Sequence, residues 1–205
     1  LYAGDIAALA FLFSIYFLFK SYQQPQAAGY LFYSFLFIGA GSLLFPQLTF
    51  LSVLWIFEAH RFQALKPRRF CGALLGWVLP YWFLFGHAFF YNQMELFYRP
   101  FTELVTFGKP FDLQILQPWE LAVLGYLLVL FIVSAAHCII AGFEDKIRTR
   151  AYLQFLIDLN IFLFLLIALQ PTYCANLLPL LMISSSILIG HFFVLTNSKT
   201  SNVFS

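Results

Sequence analysis

Long apolar runs broken by short polar punctuation make up nearly the whole chain. Residues 3–19 form the first run, with Asp5 near its start and Lys20 closing it. Residues 21–26 make a polar turn that contains Pro25. The second run, residues 28–57, is too long for one ordinary span. Fully helical it would measure roughly 45 Å, against a hydrocarbon core of about 30 Å. Gly39, Gly41, Ser42 and Pro46 fall in its middle. Proline removes a helical donor and clashes with the preceding turn. The pattern therefore predicts two short helices, 28–44 and 46–59, meeting at a break near Phe45 and Pro46; one long kinked helix is the alternative. A break of this kind survives in a membrane only where protein or water covers the freed backbone.

Residues 58–69 follow, with Arg61, Lys66, Arg68 and Arg69 against Glu58. Excess Lys and Arg mark a cytoplasmic loop. Residues 70–91 read as a span containing Gly76, Pro80 and Gly86. Residues 92–118 form the longest stretch that does not span; they are aromatic and amphipathic, and carry Glu95, Arg99, Glu103, Lys109 and Asp112. This segment is expected on the outer side, partly in the interface. Trp119 and Glu120 open a span that runs to residue 142, and the basic segment 143–150 follows it. Residues 151–169 and 177–195 are the last two spans, joined by an outer turn at 170–176 and followed by Lys199. Segments 58–69, 143–150 and 196–205 thus share the cytoplasmic side. Segments 92–118 and 170–176 share the other. The hairpin reading of residues 28–59 starts the first helix outside; the single-helix reading starts it inside. The expected fold is one all-α integral-membrane domain, a bundle of about six or seven transmembrane helices, with truncation at both ends.

Composition agrees with the patterning. The chain is 62% hydrophobic, 21% aromatic and 10% charged, with mean hydropathy +0.84. A soluble domain carries roughly 25% charged residues. A net charge of +2, concentrated at the ends of apolar runs, reads as topology rather than as a nucleic-acid surface. Cys71, Cys138 and Cys174 show no metal-ligand spacing and read as small buried hydrophobes. There is no P-loop, GxSxG, CxxC or zinc motif, so neither a cofactor nor a metal is expected. The implied surroundings are a lipid bilayer.

Against this background three titratable residues inside spans stand out: His137, Asp158 and His191. Such groups are expensive in hydrocarbon and each requires a reason. Counted from the inner ends of their spans they reach similar depths. Arg150, Gln154 and Asp158 are spaced i, i+4, i+8 and form one polar stripe on a helix. Gln154 and a snorkelling Arg150 are one route to satisfying Asp158; His137 or His191 is another. An acid with a histidine can relay protons. Two histidines and a carboxylate can bind a metal, but these lie on separate helices without a metal-binding motif. The third reading is a structural polar layer of interhelical hydrogen bonds, and because the layer lies on the basic side it is the preferred one.

A second set lies on the outer side. His87, Tyr91 and Asn92 end one span, Glu95, Arg99 and Glu103 follow at i, i+4, i+8, and Glu120 opens the next span. Asp5 joins them if residues 28–59 form a hairpin. A lipid-linked sugar substrate needs a carboxylate base and cations for its phosphates. The structural alternative is a solvated interfacial helix followed by an acid cap at Glu120.

The run Gly29-Tyr-Leu-Phe-Tyr-Ser-Phe-Leu-Phe-Ile-Gly-Ala-Gly-Ser-Leu-Leu-Phe-Pro-Gln-Leu-Thr-Phe50, then a basic turn and Gly72-Ala-Leu-Leu-Gly-Trp-Val-Leu-Pro-Tyr-Trp82, resembles an uncharacterised family of polytopic inner-membrane proteins from Bacteroidetes. The Ala175-Asn-Leu-Leu-Pro179 turn and His191-Phe-Phe add to the resemblance. The broken helix, basic turn and proline-bearing helix are also similar to the later helices of GT-C-type, polyprenyl-phosphate-dependent glycosyltransferases. In that superfamily the catalytic acid lies in the first outer loop, which would precede Leu1, so the resemblance transfers no catalytic residue. The resemblance implies a non-catalytic inner-membrane subunit of an envelope assembly. A glycosyltransferase acting at the outer face and a proton-coupled transporter using Asp158 with His137 or His191 are the alternatives.

Overall fold

A computed structural model of the chain describes residues 3–106, 110–112, 115–141 and 146–201, without the side chains of residues 3, 141 and 194–201. Among the described residues every regular element is helical: α1 Ala3–Lys20, α2 Ala27–Leu44, α3 Leu48–Arg61, α4 Pro67–Phe90, α5 Met94–Val105, α6 Pro118–Ala141, α7 Ile147–Leu169 and α8 Cys174–Ser201, with a 3₁₀ turn at Pro171–Tyr173. Among the described residues five helices are long and apolar enough to cross a membrane, α2, α4, α6, α7 and α8, where the sequence predicts six or seven spans. α3 has 14 residues, about 21 Å of helix against a hydrocarbon core of about 30 Å. The chain divides into two compact units, residues 1–107 and 108–205.

In the first unit the expected break is present. α2 ends at Leu44, Phe45 turns extended, and α3 restarts at Leu48 behind Pro46. The two helices form a hairpin, because Trp55 of α3 reaches back to Ser34 of α2. α1 runs antiparallel to α2, with Phe13 stacked on Phe37 and Phe17 against Tyr33. The Gln23 N–H donates to the Phe62 carbonyl, and Arg69 donates to the Pro25 carbonyl, so the α1–α2 and α3–α4 loops share the basic end. α1 therefore begins at the opposite end, as the hairpin reading requires.

α2 and α4 are parallel neighbours in close contact. Gly39 of α2 and Gly76 of α4 are the reason. A Cβ on Gly76 would overlap the Phe32 carbonyl oxygen, and one on Gly39 would lie 2.6 Å from the Trp77 carbonyl oxygen. Membrane helices lack a hydrophobic drive to associate and use small residues to bring backbones together. The segment expected in the interface holds α5, and residues 107–109 and 113–114 of that segment lie outside the described residues. α5 runs back along α4: Phe97 packs on Phe85 and Phe101 on Tyr81, equal steps in opposite directions.

In the second unit α8 packs against both α6 and α7. α7 and α8 are tied by Asn160, whose amide donates to the Leu156 carbonyl while its Oδ1 accepts from Ser184 at 3.0 Å. α6 and α7 meet at the Phe131–Phe164 ring pair, 5.8 Å between centroids.

Candidate functional site

The most complete polar cluster lies at the centre of the first unit, and its serines sit in runs that read as plain hydrocarbon. Ser14 donates to the Ser34 carbonyl at 2.8 Å, and Ser34 donates to the Ser14 carbonyl at 2.9 Å. The Trp55 indole N–H then bridges both hydroxyl oxygens, at 2.8 and 3.1 Å. All three residues are fully buried. Every donor finds an acceptor, so the cluster joins α1, α2 and α3 without an orphan. A second lock joins Ser42 to the Tyr81 hydroxyl at 2.7 Å. Glu58, on sequence an acid of the basic loop, is fully buried and paired with Arg61 at 3.0 Å.

The predicted intramembrane residues lie on three helices, His137 on α6, Asp158 on α7 and His191 on α8. His137 turns toward α8, its ring edge-on to Phe192 at 4.9 Å. Asp158 is half-buried and lines a groove between α6 and α7. Arg150, Gln154, Leu153 and Ile157 line the same groove from α7, and Cys138 and Ile139 line it from α6, around about 440 Å³. The i, i+4, i+8 stripe is thus real and faces open space. His191 is partly exposed on α8. Among the described residues no group of three His, Cys, Asp or Glu side chains is placed to hold a metal.

The predicted outer-face residues divide as well. His87 and Arg99 line one groove of about 580 Å³ with Leu43, Leu44, Pro46, Leu84, Leu96 and Glu103. The Arg99–Glu103 ion pair, 2.7 Å, sits on its exposed wall. Glu95 lines a cavity formed by residues 92–96, which shares Leu96 with that groove. Asp5 is exposed in the first turn of α1. Glu120 belongs to the second unit and is 7% exposed; its carboxylate accepts from the Gln117 N–H at 2.9 Å. That is the N3-to-N-cap half of a capping box, as the acid-cap reading expects.

Two buried amides carry little signal on sequence. Gln47, at the α2–α3 break, and Gln170, after α7, are 1% and 2% exposed, and neither side-chain amide has a hydrogen-bond partner among the described residues. Their only mark is a glutamine beside a proline between apolar runs. No protein-family model, curated protein or solved structure matches this chain.

Proposed function

We propose that the chain is a non-catalytic subunit of an envelope assembly in the bacterial inner membrane, with a body similar to the later helices of GT-C-type glycosyltransferases. The observation that supports this is the use made of the interior polar groups. Ser14, Ser34 and Trp55 satisfy one another, Ser42 holds Tyr81, and Ser184 holds Asn160. These contacts position helices. The candidate outer-face residues His87 and Arg99 line one groove and Glu95 lines another, with Leu96 common to both. α4 turns Trp82, Phe83, Phe89 and Phe90 outward, each more than 60% exposed, a face suited to lipid or to a neighbouring subunit. Crosslinking in intact cells before extraction, then sizing in mild detergent, tests this. A discrete complex heavier than one chain and its micelle is expected; a monomer in both conditions overturns it.

A second reading, sugar transfer from a polyprenyl-phosphate carrier, draws support from the groove at the α2–α3 break, where apolar walls meet His87 and Arg99. Release of labelled sugar from such a carrier by the purified chain in vesicles would replace the first reading with this one. Proton-coupled transport draws on the groove beside Asp158. Acidification of dye-loaded proteoliposomes that Asp158→Asn abolishes would support it.

A further inference from the structure

α5 descends to membrane depth alongside α4. α4 opens on Pro67, Arg68 and Arg69 at its basic end, and its apolar run starts at Phe70. About 20 residues cross the hydrocarbon core, which brings the far boundary to about Phe89. Phe85 lies roughly 6 Å of helix short of that boundary and Tyr81 roughly 12 Å. Phe97 of α5 packs on Phe85 and Phe101 on Tyr81, with ring centroids 5.3 and 5.4 Å apart. Arg99 and Glu103 bracket Phe101 in the helix, so their ion pair stands at hydrocarbon depth. Its side chains are nonetheless 72% and 38% exposed.

The α2–α3 break reaches a similar level. Gly39 of α2 lies against Trp77 and Pro80 of the parallel α4, and further along Pro46 shares a groove with Leu84. Leu84 is about 8 Å of helix short of Phe89. Pro46 has no N–H, so the Ser42 carbonyl loses the donor that a helix supplies four residues on.

Both features border one space. The groove of about 580 Å³ has Leu43 and Pro46 on its α2–α3 side, Leu84 on α4, and Arg99 and Glu103 on α5. At about 30 Å³ per water, it holds roughly twenty molecules. Irregular backbone at membrane depth survives only against protein or water. Charged side chains there face a bundle interior or a water-filled cavity. An acyl chain would suit the leucines but leave the ion pair in hydrocarbon. Arg99 and Glu103 match in charge, yet a matched pair still loses its hydration there, at a cost the pairing seldom recovers.

We infer that this groove is a water-filled vestibule, open at the end opposite the basic loops and reaching the α2–α3 break, which admits small hydrophilic ions to roughly 8 Å below the hydrocarbon boundary. α5 is a re-entrant helix that holds it open. Phe97 and Phe101 seal one face of α5 against α4, and the charged face turns to the water. The vestibule goes beyond the subunit reading and does not rest on it.

Leu43→Cys and Leu84→Cys place thiols on two walls of the groove. Phe83→Cys places one beside Leu84 in sequence, on the outward face of α4, where Phe83 is 69% exposed. The full chain is expressed in bacterial inner membranes. Spheroplasts, whose outer face is the end opposite the basic loops, are treated with a cationic, membrane-impermeant methanethiosulfonate. Peptide mass spectrometry reads each site against the denatured chain, with Cys71, Cys138 and Cys174 as the common background. Both groove thiols should react at least about tenfold faster than Phe83→Cys, because the charged reagent partitions poorly into hydrocarbon. In inverted vesicles neither groove thiol should react. Leu96→Cys, on the α5 wall, repeats the reading if Leu43→Cys fails to fold.

Equal rates at Leu84→Cys and Phe83→Cys overturn the inference. Two fast rates put the whole end of α4 in water; two slow rates put lipid in the groove. Groove thiols closed in spheroplasts but open in the purified chain also overturn it, and give the groove to a protein partner, as the subunit reading allows. Open groove thiols in a chain that stays monomeric keep the vestibule and remove the subunit reading.

Discussion

The indole nitrogen of Trp55 lies 2.8 Å from the hydroxyl oxygen of Ser14, 41 residues earlier in the chain, in a site closed to solvent. Ser34 completes the contact from a third helix. The three side chains need one another unequally. The serine hydroxyls also donate to each other's backbone carbonyls, whereas the indole N–H donates to the serine hydroxyls. Trp55→Phe should therefore cost about 1 kcal/mol beyond its packing change, the net worth of a buried hydrogen bond. The double change Ser14→Ala and Ser34→Ala should cost more, roughly 1–3 kcal/mol, because it takes both acceptors from a buried donor. Unfolding in mixed micelles measures both. Equal losses would show that the indole finds another acceptor.

Gly76 and Gly39 should be the least replaceable small residues of the first unit. Alanine at either forces α2 and α4 apart, because the collision is with backbone and not with a mobile side-chain tip. A loss on the order of 1–3 kcal/mol is expected for each. Gly86, on the same α4, has nothing within 4 Å of the position a methyl would take. Gly86→Ala should be neutral, or stabilising by up to about 1 kcal/mol through helix propensity. Thermal unfolding of the three variants in one detergent gives the comparison.

Gln47 is buried at the α2–α3 break with its amide unpartnered among the described residues. Burying an amide without a partner is unfavourable. Gln47→Met keeps the length and removes the polar atoms, and should stabilise the first unit by roughly 1 kcal/mol. A loss of stability instead would reveal a partner supplied from outside the chain. The measurement is the shift in unfolding midpoint, in the presence and absence of added lipid.

Lys20, at the basic end of α1, lies 4.8 Å from the centre of the Tyr16 ring. Hydrogen bonding with Tyr16, then the electrostatic effect of Tyr16, raises its pKa above the usual lysine value. The sign follows from the direction. The stabilisation is fully present below the ordinary lysine pKa and is lost as pH rises through the raised one. Tyr16→Leu should return the Lys20 pKa toward its ordinary value. A titration followed by carbon-13 NMR of labelled lysine reads this directly; an unchanged midpoint would remove Tyr16 as the cause.

Much of the fold is legible along the chain because a bilayer imposes length and polarity on each segment separately. The break at Pro46 follows from a missing donor, and the cap at Glu120 from an acid placed at N3 of its helix; both are local facts. The Arg150–Gln154–Asp158 stripe follows from helical period alone, and it does line one groove. What period could not say is which way the stripe turns. His137 meets the Phe192 ring of α8, and Asp158 lines the α6–α7 groove.

By itself, then, the sequence determined an all-helical membrane protein, its broken second run and the basic ends of its helices, since each depends on residues within one or two turns. Tertiary structure decided the rest. It made plain serines at 14 and 34 into acceptors for Trp55, buried Glu58 beside Arg61, and set α5 back along α4. These outcomes depend on the rotation of each helix about its own axis. That rotation is chosen by the fit of neighbours, at glycines such as Gly76 and in locks such as Ser14–Ser34–Trp55, and no single helix carries it.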